Sequence, residues 1–114
     1  MIYFKKILIT LTILLASCNV KASNAELVTA IASNDIEYVY DWASQTQDID
    51  QLITDDLSAL HLAIALSRYE IIKILIKLGA DVNKPSRTNQ KPLAVAKLMS
   101  TNEIIQLLID AGAR

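Results

Sequence analysis

The stretch SALHLAIALSRYEIIKILIKLGADVN, Ser58 to Asn83, decides how this chain is read. It holds two apolar-rich segments that meet at Ser67-Arg68 and close at Gly79. Ser58 can cap a helix running to Leu66, because its hydroxyl can accept an N–H that the first turn leaves without a partner. Ser67-Arg68-Tyr69-Glu70 has the form of a capping box, a hydroxyl at the cap and a carboxylate three residues on. It predicts a second helix over Tyr69–Leu78, which Gly79 stops in a left-handed conformation.

Shifted by 33 residues in either direction, the same pattern returns, giving segments 25–57, 58–90 and 91–114 without a gap. Leu27, Leu60 and Leu93 coincide, as do Ala30, Ala63 and Ala96, and Glu37, Glu70 and Glu103. Val39, Ile72 and Ile105 coincide too, and Gly79 matches Gly112. Further boxes are expected at Asn34-Asp35-Ile36-Glu37, at Ser100-Thr101-Asn102-Glu103 and, for the first helix, at Ser23-Asn24-Ala25-Glu26. Pro92 falls in a first helical turn, where its missing N–H costs nothing. Helices this short do not persist alone in water. Ile71, Ile72, Ile74 and Leu75 are therefore expected to face Ile104, Ile105, Leu107 and Leu108, with stability residing in the stacking of copies. Apolar residues make up 53% of the chain and aromatics only 5%, so that interior must be aliphatic.

SALHLAI resembles the T-P-L-H-L-A-A signature of ankyrin repeats, and YEIIKILIKLGADVN (Tyr69–Asn83) is similar to that family's second helix and G-A-D-V-N turn. The third copy keeps PLAVA and NEIIQLLIDAGA; the first keeps ELVTAIASNDIEYV and a degenerate Asp48-Ile49-Asp50. The resemblance implies an all-α solenoid of about three helix-turn-helix repeats with β-hairpin fingers. It also implies that Ser58 and His61 share a framework hydrogen bond. The departures are Ser58-Ala59 and Lys91-Pro92 for Thr-Pro, and Asn34, Ser67 and Ser100 for the family's glycine between helices. Asp41 and Trp42 stand where aliphatics are usual, which suits an end repeat.

Residues 1–22 differ from the rest. Lys5 and Lys6 precede eleven uncharged residues, Ile7–Ser17. That run is too short to span a bilayer as a helix, which takes about 20 residues, and it has the layout of a secretion signal. Leu15-Ala16-Ser17-Cys18 resembles a bacterial lipobox, which would cleave before Cys18 and lipidate it. Ordinary cleavage after Ala22 is the competing expectation. Either leaves residues 23–114 as the folded domain without a free thiol. Localisation follows: exported, on the periplasmic face of a bacterial membrane or in the soluble periplasm. Asn19 after the cysteine resembles the pattern sorted to the outer membrane.

Residues 23–57 hold eight acidic residues and no Lys or Arg, whereas residues 58–114 hold eight basic and four acidic ones, a net +4. Such a polarised module is not a nucleic-acid binder. His61 is the only histidine, and Cys18 the only cysteine. A base needs a nucleophile or an orienting acid and zinc needs several ligands, so no enzyme, metal or cofactor is expected. Asp55-Asp56 lacks the spaced oxygens of a calcium loop and reads as a solvated turn.

Two groups remain as candidates for contact with another protein. Lys84, Arg87 and Lys91 fall in the turn between the second and third copies. Leu66, Leu98 and Met99 fall at the ends of first helices, where the resemblance implies a concave groove. They either bind a partner or pack against the neighbouring finger. The apolar second helix of the third copy, Ile104 to Ile109, suggests a homodimer through that repeat. The expectation is thus a non-enzymatic interaction module of the periplasm or cell envelope. The alternatives are a self-associating structural lipoprotein and an immunity or inhibitor protein against a periplasm-acting toxin or hydrolase.

Overall fold

The computed structural model describes residues 20–114, with side chains from Asn24 onward. Six helices follow one another: α1 (Val20–Ala32), α2 (Ile36–Gln45), α3 (Ala59–Ala65), α4 (Tyr69–Lys77), α5 (Pro92–Met99) and α6 (Asn102–Asp110). The helices α2, α4 and α6 begin at 36, 69 and 102, two steps of 33; α3 and α5 begin at 59 and 92, the same step. Among the described residues there is no strand, only one antiparallel bridge between Leu52 and Ser58. The fold is all-α, three helical pairs in two layers.

Packing follows from helices too short to stand alone. Each first helix packs on its own second helix, α1 on α2, α3 on α4 and α5 on α6. The first helices also form a row, α1 on α3 and α3 on α5, while α2 packs on α4. The interior is aliphatic throughout. Leu27, Ile31, Val39, Ile64, Ile71, Ile72, Leu75 and Leu108 are fully buried. Each such side chain contributes about 1.5–3 kcal/mol on burial, and the middle pair supplies the contacts to both neighbours.

The corners between paired helices differ from the expected capping boxes. Asn34 and Ser67 adopt positive φ, 61° and 55°. Each ends its first helix with two crossed bonds. Asn34 N–H donates to the Ile31 carbonyl and Asp35 N–H to that of Ala30; Ser67 N–H donates to Ile64 and Arg68 N–H to Ala63. That is a Schellman ending, with a left-handed residue just past the helix. Residues 34 and 67 are used to stop one helix and cannot cap the next. The cap moves on by one. Asp35 accepts the Tyr38 N–H at 3.1 Å, Thr101 accepts that of Ile104 at 3.4 Å, and Arg68 caps with no side-chain bond. Gly79 and Gly112, at φ 106° and 98°, end α4 and α6 in the same way.

Two further differences appear. α1 runs through Ser23 from Val20 instead of starting at the expected box. Val20-Lys21-Ala22 contains no helix breaker, and Lys and Ala favour helix, so nothing stops the helix at Ser23. The β-hairpin fingers are tight turns rather than ladders. Ile53 N–H donates to the Leu57 carbonyl at 2.9 Å and, 33 residues on, Ser86 N–H donates to that of Gln90 at 2.8 Å. Five-residue turns leave no length for paired strands, and Pro85 has no N–H to contribute.

The expected leader and its lipidation site, Cys18, lie outside the described residues. No described helix is long and apolar enough to cross a membrane.

Candidate functional site

His61 sits at the start of α3 with 2% of its surface exposed, and Ser58, the N-cap, with 5%. Ser58 Oγ lies 2.8 Å from His61 Nδ1, and His61 Nε2 lies 3.0 Å from the Gln90 backbone carbonyl. A carbonyl only accepts, so Nε2 carries the proton and donates to it. Nδ1 is then the acceptor and the Ser58 hydroxyl donates. The same Ser58 oxygen accepts the His61 backbone N–H at 3.4 Å. Burial lowers the His61 pKa below the usual histidine value, against the opposing pull of the Gln90 carbonyl and the charge of Asp50. The imidazole is therefore neutral at pH 7, with both nitrogens engaged. A hydroxyl beside an imidazole nitrogen has the outline of a nucleophile and its base. Here the pair is nearly buried at the base of a cleft, and the orienting group is a loop carbonyl. His61 ties the start of α3 to the turn that leads into α5.

The turns are joined by a second device that repeats. Asp50 Oδ1 accepts the Asp81 backbone N–H at 2.9 Å, and Asn83 Oδ1 accepts that of Arg114 at 2.8 Å. Donor and acceptor both move by 33 residues. Asp48 and Asp81 brace these acceptors by taking the N–H of Asp50 and Asn83 at 3.0 and 2.9 Å. Asp48-Ile49-Asp50 thus does the work of Asp81-Val82-Asn83 and is not degenerate.

Between the two turns lies an open cleft of about 580 Å³. Asp48 and Asp50 line one wall, Lys84 and Arg87 the other, with Ser58 and His61 between. Arg87 is held against the neighbouring turn. Its backbone N–H donates to the Asp56 carbonyl at 3.2 Å and its Nη1 to that of Asp55 at 3.3 Å. The basic turn is thus held to the Asp55-Asp56 turn through backbone carbonyls. Lys84 and Lys91 are exposed on the same turn.

The apolar candidates gather elsewhere. Leu98 is 76% exposed, Met99 60% and Leu66 39%. They sit at the C-terminal ends of α3 and α5, and the two corners are bonded together. Ser67 Oγ donates to the Met99 carbonyl at 3.3 Å and Ser100 Oγ to that of Ile64 at 2.6 Å. α3, seven residues long at about 1.5 Å each, carries His61 near its start, by the turns, and leads to this corner at its end. The structure brings Leu66, Leu98 and Met99 together, and Lys84, Arg87 and Lys91 together, at opposite ends of the first-helix row. The Gln90 carbonyl, the cleft and the paired Asp50 and Asn83 links were absent from the sequence reading. Only the 33-residue recurrence of Asp48-x-Asp50 and Asp81-x-Asn83 could have signalled them. Among the described residues, no three His, Cys, Asp or Glu side chains are placed to hold a metal ion.

A family model described as ankyrin repeats (3 copies) matches residues 13–114. The chain is similar to protein phosphatase 1 regulatory subunit 27 of Mus musculus, 34% identical over 65 residues, 57% of this chain and 42% of that protein. It is similar to the RelA-associated inhibitor of Mus musculus, 30% identical over 87 residues, 76% of this chain and 11% of that one. It is also similar to the probable 26S proteasome regulatory subunit p28 of Saccharomyces cerevisiae, 31% identical over 65 residues, 57% of this chain and 28% of that one. The chain spans less than half the length of each of these relatives.

Proposed function

This chain belongs to the ankyrin-repeat family, and from that membership we propose that it is a protein–protein interaction module that works without catalysis. A regulatory subunit of a phosphatase, a RelA-associated inhibitor and a regulatory subunit of the proteasome are named for acting with other proteins. That supports the same class of work here. The contact surface is the apolar corner, and the observation that carries it is the exposure of Leu98 and Met99, 76% and 60%. Two adjacent large apolar side chains on a helix end, beside exposed Leu66, make a patch that a partner would cover. The cleft beside Lys84 and Arg87 gives a polar second contact at the other end of α3.

The setting is the bacterial cell envelope, reached through the leader and held by lipid on Cys18. Its support is the run Ile7–Ser17 followed by Leu15-Ala16-Ser17-Cys18 as a lipobox. Self-association through the third repeat is a second reading, favoured by Ile109, which is 46% exposed on α6.

Affinity capture from envelope extract tests the first reading, with the full chain compared against a Leu98→Asp, Met99→Asp double variant. One partner should be recovered stoichiometrically by the native chain and lost by the variant. Equal recovery by both overturns the corner as the contact surface. Mass spectrometry of the N-terminal peptide from the same preparation reports the fate of Cys18, and an unmodified Cys18 in the mature chain ends the lipid-anchor reading.

A further inference from the structure

The turns that wall the cleft are bonded to each other through side chains on both sides. Asp50 Oδ1 accepts the Asp81 N–H at 2.9 Å. The Arg87 N–H and Nη1 donate to the carbonyls of Asp56 and Asp55, at 3.2 and 3.3 Å. One wall carries Asp48 and Asp50, the other Lys84 and Arg87. Opposite charges thus line a single cleft, yet among the described residues none of these four side chains forms an ion pair. The bonds explain why. Asp50 is drawn to a backbone N–H and Arg87 to a backbone carbonyl, so each charge stays on its own wall.

Recognition falls to the walls, because the floor is already satisfied. Ser58 and both His61 nitrogens are engaged with one another and with the Gln90 carbonyl. Leu52, 43% exposed, and the exposed Pro85 add apolar surface to the walls. A volume of about 580 Å³ is that of a small-molecule site. A simple cation in it would be repelled by Lys84 and Arg87, and a simple anion by Asp48 and Asp50. A molecule that carries both charges meets a partner on each wall. An α-amino acid holds its two charges on one carbon. A dipeptide sets them one residue further apart, about 3.8 Å, and brings side chains to Leu52 and Pro85.

We propose that the cleft between the two turns binds a short peptide with both ends charged, its ammonium on Asp48 and Asp50 and its carboxylate on Lys84 and Arg87. This deepens the reading of the cleft as a polar contact and is independent of the Leu98–Met99 corner. The charges that receive the ligand are held apart before it arrives, so little ordering is needed on binding. The walls are on the surface, and added salt therefore weakens the complex.

Titration of the isotope-labelled full chain with dialanine, followed by NMR, tests this, and the same spectra verify that each variant is folded. The backbone amides of Asp50, Asp81 and Arg87 should shift saturably. N-acetyl-dialanine, which lacks the ammonium, and dialanine amide, which lacks the carboxylate, should each bind about tenfold more weakly or worse. Alanine should also bind more weakly than dialanine. Asp48→Asn with Asp50→Asn keeps the oxygens that accept backbone N–H groups and removes the charge, so acetylation of the peptide should no longer matter. In Lys84→Gln with Arg87→Gln, amidation should no longer matter. Leu98→Asp with Met99→Asp should bind dialanine like the native chain, so the fate of the corner is read separately from that of the cleft. The proposal is overturned if dialanine gives no saturable shift at these amides, if the blocked peptides bind the native chain as well as dialanine does, or if the charge variants still discriminate against them. Equal binding of alanine would overturn a peptide as the ligand, and loss of dialanine in the corner variant would overturn the cleft as its site.

Discussion

Asp50 holds Asp81 across the first pair of turns, its Oδ1 accepting the backbone N–H at 2.9 Å. Asn83 holds Arg114 by the same bond one period later. The first acceptor is charged, so its bond is the stronger of the two. Asp50→Ala should cost about 1.5–3 kcal/mol and Asn83→Ala about 0.5–1.5 kcal/mol, read as urea midpoints at constant slope. Asn83 also donates from Nδ2 to the Gly112 carbonyl at 3.1 Å, so equal losses at the two sites would show that the charge adds no more than that one neutral bond.

The neutral, buried His61 makes stability depend on pH. Its folded pKa lies below the ordinary 6.5 because burial disfavours the cation. The unfolded chain therefore takes up the proton first. Stability is intact above the unfolded value and falls as pH drops from 6.5 toward the lowered folded value. Urea midpoints should decline as pH falls through the ordinary 6.5, and His61→Asn should flatten that decline relative to the native chain. An equal decline in both would place the titration on the carboxylates.

Opposite signs are expected at two left-handed corners. Gly79 has φ 106° and nothing within 4 Å of an added Cβ, so Gly79→Ala is opposed by backbone strain alone. It should lose about 1–2 kcal/mol. Ser67 has φ 55°. Ser67→Gly relieves that strain and gives up only exposed hydroxyl contacts, to the Met99 carbonyl at 3.3 Å and the Ser100 hydroxyl at 3.5 Å, so thermal melting should rise or hold rather than fall.

Leu75 is fully buried in the middle pair, and Leu98 is 76% exposed. Leu75→Ala should lose about 2–5 kcal/mol through the cavity it opens, while Leu98→Ala should stay within about 0.5 kcal/mol. The contrast separates residues that hold the stack from residues free to meet a partner. A large loss at Leu98 would return it to the framework.

The helices and their 33-residue step were legible because leucine, alanine and isoleucine recur at fixed intervals, and the fold needs little else. The corners were misread by one residue. A Ser or Asn before Glu signals a cap only if no other element claims it, and the preceding helix claimed Asn34 and Ser67 for its own ending. The start of α1 was misread for a related reason, since Ser23 caps only if the chain before it turns away. The turns hid more. The acceptor for His61 Nε2 is a backbone carbonyl, Gln90, and backbone groups leave no trace in side-chain pattern. The bonds that Arg87 makes to the carbonyls of Asp55 and Asp56 were hidden for the same reason. The exposure of Leu98 and Met99 against the burial of Ile104 depends on which face each helix turns inward, which the pattern of the third copy alone left open.

Since donor and acceptor advance together at each junction, a tandem genetic duplication of residues 58–90 would arrive already fitted. Its Asp81 amide would meet the existing Asn83 oxygen, its own His61 would find its own Gln90 carbonyl, and its Asn83 would receive Arg114. Lengthening this protein by whole units keeps each donor opposite its acceptor, whereas inserting part of a unit would misalign every bridge that spans the insertion.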